Sequence, residues 1–109
     1  MKKSTDPKIP AHLSDAAKRW WKDITTEYVF EVPDSLMTLQ LVCECWDRSE
    51  LARKIVEKEG VTINDRFGFP KQHPATIVER DSKMAMLRGL RALGLDVVPP
   101  GSMAGSRGK

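Results

Sequence analysis

Between Pro33 and Gly60 the chain carries an unbroken helical pattern, and no other feature limits its fold so strongly. Leu36, Leu39, Val42, Cys43, Trp46, Ala52, Ile55 and Val56 recur at the three- and four-residue steps that bring side chains to one side of an α-helix. Pro33 followed by Asp34 is a helix start, and Gly60 is a natural stop. At 1.5 Å per residue, about 25 residues reach nearly 40 Å, further than a compact domain of this size needs to cover its own core. Met37, Leu41 and Cys45 lie partly off the main stripe and widen the apolar arc, which suits a helix touched on two sides.

Shorter elements flank this helix. Ser14 is an N-cap, Asp15 favours the positive helix end, and Ala17, Trp20, Trp21, Ile24 and Tyr28 follow at helical spacing, predicting a first helix over roughly 15 to 28. Successive helical residues point about 100° apart, so Trp20 and Trp21 cannot both centre one stripe. One of them is expected to meet a second helix or a partner subunit. After Gly60, Val61, Thr62 and Ile63 favour a strand, Asn64 and Asp65 suit a turn, and Phe67 to Pro70 can return as a short edge strand. Two strands alone are barely stable in water, so this hairpin must lean on a helix or add to a neighbour, with an exposed loop as the alternative. His73 and Pro74 open a third helix whose apolar side is Ile77, Met84, Leu87, Leu90 and Leu93, and Gly94 with Leu95 has the form of a Schellman ending.

The expected fold is therefore mainly all-α: three helices with a long central helix, a short β-hairpin between helices 2 and 3, and disordered basic termini. Residues 1–11 form a basic N-terminal arm, 12–98 a helical oligomerisation domain, and 99–109 a Gly/Ser/Pro-rich basic tail. The net charge of +3 comes from those ends. From Pro10 to Val98 there are thirteen Lys and Arg against fourteen Asp and Glu, while Lys2, Lys3, Lys8, Arg107 and Lys109 face only Asp6 outside. A nearly neutral body with basic ends can hold a polyanion, because each neutralised phosphate releases counterions, and a solubilising tail is the plainer alternative. Lys2 and Lys3 precede polar residues and proline instead of an apolar run, so neither a secretory signal nor a membrane partner is expected, and the cytoplasm is the expected compartment.

Catalytic signatures do not stand out. No Gly-rich loop ends in Lys and Ser or Thr, so no nucleotide-phosphate cradle is expected, and no Gly-x-Ser-x-Gly elbow is present. Asp15, Asp23, Asp34, Asp47 and Asp81 fit helix starts or solvated faces better than a metal cluster. Cys43 and Cys45 point to opposite sides of a helix and cannot pair, and with His12 and His73 they match no zinc spacing. His73 reads as a cap and not as an acid–base catalyst. The expectation is a binding protein with no enzymatic activity, no cofactor, no metal and no small-molecule substrate.

The order of features is itself informative. Pro10 and Leu13 precede Ala17, Trp20 and Trp21; the long helix passes Leu51, Ala52 and Ile55 to Gly60; His73-Pro74-Ala75 follows; and Leu90-Arg91-Ala92-Leu93-Gly94-Leu95 leads to prolines and Arg107. Over roughly residues 10 to 107 this series resembles the P27 family of phage terminase small subunits. That resemblance implies a ring-forming homo-oligomer in the host cytoplasm that binds viral double-stranded DNA and delivers it to the large terminase subunit, the one with the ATPase and nuclease. A ring would occupy the surplus apolar surface, for which Trp21, Met37, Leu41 and Trp46 are the candidate interface residues, and it would multiply weak DNA contacts from Lys2, Lys3, Lys8, Arg107 and Lys109. Two alternatives remain at this point. A helix-turn-helix regulator would use Lys18, Arg19 and Lys22, or Arg88 and Arg91, in a major groove, and a helical protein-interaction module would have no nucleic-acid role.

Overall fold

The computed structural model of the protein describes residues 7–95, 97, 99 and 100. The elements run α1 (Asp15–Glu27), α2 (Pro33–Glu59), β1 (Thr62–Asn64), β2 (Pro70–Gln72) and α3 (Pro74–Leu93). Local chemistry sets each boundary. The Ser14 hydroxyl accepts the Ala17 N–H at 3.1 Å and starts α1. Pro33 opens α2 at a position where its missing N–H is not needed, and Gly60 ends it at φ 93°, a conformation that disfavours any side chain. The α3 ending has both Schellman bonds, from Gly94 N–H to the Arg91 carbonyl at 3.0 Å and from Leu95 N–H to the Leu90 carbonyl at 3.1 Å.

Helices α2 and α3 form an antiparallel pair, joined at one end by the hairpin, and α1 packs on α2 at the other end. The core there holds Leu13, Ala17, Trp20, Trp21, Ile24, Leu39, Val42, Cys43, Met86 and Leu90. Both tryptophans are buried inside this one chain. The apolar environment is wide enough for two adjacent rings because Ile9 before α1, and Leu95 and Val97 after α3, also pack against the cluster. Ile9 thus lies on the core although its segment carries no helical periodicity.

Towards the hairpin the contact between α2 and α3 is made by small buried residues, Ser49 and Ala52 on one helix, Ala75 and Ser82 on the other. Small side chains let two helices approach closely. Away from the hairpin, Gly89 gives a second close approach: a Cβ there would stand 2.6 Å from Val42 Cγ2. This choice of contact residues reverses part of the expectation for α3. Its buried stripe is Ala75, Ser82, Met86 and Leu90, while Ile77, Met84 and Leu87 lie exposed on other sides of the helix. Periodicity followed the large residues, whereas the close contact selected the small ones.

The hairpin forms, but its return strand is Pro70–Gln72 and not the expected Phe67 to Pro70. Thr62 pairs with Gln72, Ile63 with Lys71 and Asn64 with Pro70, antiparallel. Phe67, Gly68 and Phe69 belong to the connecting loop and not to the return strand. The reason is Asp65, whose Oδ1 accepts the N–H groups of Phe67 at 2.8 Å and Phe69 at 3.0 Å, closing a turn that Gly68 completes at φ 84°. The molecule extends 64 × 33 × 23 Å with a radius of gyration of 16.8 Å. A compact chain of about 100 residues would have about 13 Å.

Candidate assembly and nucleic-acid surfaces

Helix α2 is apolar on two sides. One side faces α1 and α3 through Leu39, Val42, Cys43, Ser49 and Ala52. The other carries Met37 (66% exposed), Leu41 (58%), Leu51 (64%) and Ile55 (42%), which fall on one face of the helix with Arg48 among them. Of the four interface candidates read from the sequence, Met37 and Leu41 stand on this open stripe. Trp46 is half-buried and lines a cleft with Met86, Pro99 and Pro100. Trp21 is a correction: it is 3% exposed within the chain's own core, so its ring stabilises α1 and offers no surface to a partner. Its indole Nε1 has no hydrogen-bond partner among the described residues. Leu51 joins Met37 and Leu41 on the open stripe, and so does Ile55, which the periodicity had placed on the core-facing stripe; their ten- to eighteen-residue spacing from Leu41 and Met37 carries the signal.

Of the five basic residues proposed for DNA, Lys8 is described and exposed, while Lys2, Lys3, Arg107 and Lys109 lie outside the described residues. Several cations of the body are neutralised locally. Arg53 bridges Glu50 and Glu57, each at 3.0 Å, Lys83 meets Glu79 at 2.8 Å, and Arg80 meets Asp81 at 3.1 Å. Lys58, Arg66 and Lys71, near or on the hairpin, form no ion pair among the described residues. The Arg66 guanidinium instead lies 5.2 Å from the centre of the Phe67 ring.

The acidic and imidazole groups serve as struts. Asp47 accepts both the Ser14 N–H at 2.8 Å and the Ser14 hydroxyl at 2.5 Å, fixing the start of α1 on α2. His12 lies 2.6 Å from Glu44, which also accepts the Gln40 amide at 3.0 Å. The Gln40 amide and the His12 ring hold the Glu44 carboxyl below the usual carboxylate range. Burial, with Asp47 and Glu44 nearby, pushes the Cys43 thiol up to about 12, and burial also raises Cys45. Among the described residues no three His, Cys, Asp or Glu side chains converge as a metal site would require. No described helix is long and apolar enough to cross a membrane.

The helix pairs also bear on the regulator alternative. Helices α1 and α2 are separated by residues 28–32, and a whole hairpin separates α2 from α3, so among the described residues no two helices are joined by the short turn of a helix-turn-helix unit.

Comparison with known proteins gives one match. A family model described as phage terminase, small subunit, matches residues 17–99. Neither the search of curated proteins nor that of solved structures finds a match. The matched region takes in α2, the hairpin, α3 and nearly all of α1, well over half of the chain, and the protein therefore belongs to the phage terminase small subunit family.

Proposed function

We propose that this protein is the non-catalytic adaptor of a phage packaging machine, which assembles into a ring in the host cytoplasm, binds viral double-stranded DNA and delivers it to the large terminase subunit. The observation that carries the reading is the open apolar stripe of Met37, Leu41, Leu51 and Ile55 on a helix whose opposite side already holds the core. An elongated chain with such a stripe gains stability by burying it against another copy. A ring needs a head-to-tail contact between two different surfaces, and the exposed Ile77, Met84 and Leu87 on α3 supply the second.

Lys2, Lys3, Lys8, Arg107 and Lys109 are the proposed DNA contacts of the chain ends. Repeated around a ring, weak phosphate contacts add to a useful affinity that falls steeply with salt. The large subunit supplies the chemistry, and this chain needs neither cofactor nor metal for the role. Native mass spectrometry of the full chain at low micromolar concentration tests the assembly step, with a single closed oligomer expected. A monomer would overturn the ring.

A further inference from the structure

We propose that the tip of the hairpin, with Arg66, Phe67 and Phe69 on its loop and Lys71 on β2, is a contact for double-stranded DNA. The inference rests on the DNA-binding reading above and moves part of that contact from the chain ends to a folded element. Phe67 is 72% exposed and Phe69 66% exposed, on a loop held by four hydrogen bonds to one residue. The Asp65 carboxylate accepts from Phe67 and Phe69, its carbonyl accepts from Gly68 at 2.9 Å, and its N–H donates to the Phe69 carbonyl at 2.8 Å. The backbone that carries the two rings is thus fixed, which lowers the ordering cost on binding.

Charge decides the kind of partner. At the tip itself Arg66 and Lys71 outnumber the single carboxylate of Asp65, which its own loop's N–H groups hold, while Glu57 and Glu59 lie at the base of the hairpin beside Arg53 and His73. Lys58, Arg66 and Lys71 remain without an ion pair among the described residues. Exposed aromatic rings with an excess of cations beside them complement a duplex, where cations meet phosphates and apolar side chains press against sugars or wedge at base steps. A two-stranded ribbon is also narrow enough for a major groove about 12 Å wide. Pairing with a strand of another protein fits less well, since Pro70 removes one donor from a strand of only three residues.

Two measurements test the proposal. In the first, labelled duplex DNA is titrated with the wild-type protein, R66A/K71A and F67A/F69A at several salt concentrations. The charge variant is expected to lose about tenfold or more in affinity with a shallower salt dependence. The aromatic variant is expected to lose several-fold with the salt dependence unchanged. In the second, the wild-type protein is photocrosslinked to bromodeoxyuridine-substituted duplex, and the tryptic peptide of residues 67–71 is expected to carry the crosslink. Wild-type binding with unaltered variants, or with crosslinks only outside that peptide, would overturn the tip contact and leave the packaging role standing. Tip variants that keep DNA affinity but change oligomer mass or lose the large subunit would overturn it too. Absence of wild-type binding at low salt would overturn the DNA reading as a whole.

Discussion

Nε2 of His73 lies 2.7 Å from Oε1 of Glu59, tying the last residue of α2 to the residue that caps α3. The same ring accepts the Ala75 N–H on Nδ1 at 3.0 Å, so Nδ1 carries no proton and Nε2 is the donor to Glu59. One buried side chain both starts α3 and sets where it departs from α2. Replacing His73 by Ala should cost about 0.5–2 kcal/mol, the range for a lost helix cap. His73→Asn retains a capping group and should recover part of the loss, leaving the share owed to Glu59. Urea denaturation of the two variants measures both.

Gly89 should resist even the smallest side chain. The Cβ of Gly89→Ala would collide with Val42, which is 1% exposed and β-branched, so its methyl groups have little room to rotate away. A loss of about 1–3 kcal/mol is expected, as for other overpacked cores. Combining it with Val42→Ala should give less than the sum of the two single losses, and a double-mutant cycle reads that coupling.

The buried Cys43 thiol should make the alkaline limb of stability steep. Its pKa is raised in the folded chain, so the neutral thiol's contribution is complete below the unfolded value of about 8.5 and is lost as pH climbs from there towards 12. Denaturation at pH 7, 9 and 10 should show a fall that Cys43→Ala lessens. Iodoacetamide at pH 8 should label the half-exposed Cys45 well before Cys43, with the order read by mass spectrometry of peptides.

Charges placed on the open side of α2 should dissolve the proposed ring without unfolding the chain. Leu41→Lys and Leu51→Lys replace residues that contribute little to the monomer's own core, so each should shift monomer stability by only about 0.5 kcal/mol. Native mass spectrometry should find mainly lower-mass species, while circular dichroism keeps its helical signal. An oligomer of unchanged mass would show that this stripe is not the contact.

The ends of the helices were legible in the sequence because their signals are local. Ser14, Pro33, Gly60, His73-Pro74 and Gly94 each act on the backbone within one turn, and the structure places five of the six helix boundaries at those residues, the exception being the end of α1 at Glu27. The apolar breadth of α2 was equally plain, and it led to Met37 and Leu41. Which apolar residues turn inward was decided only by tertiary packing. Trp21 could be buried because Ile9, Leu95 and Val97, distant from it in sequence, extend the same core. Ile77, Met84 and Leu87 were left outside because Ala75, Ser82 and Gly89 let α3 approach α2 more closely than large side chains would allow. The hairpin tip had the same origin. Asp65 announces a turn in any context, but its carboxylate reaching the Phe67 and Phe69 N–H groups moved both rings from the expected strand into the loop. Caps and periodicity act over a few residues and can be read along the chain, whereas burial depends on which distant segments arrive at the same place.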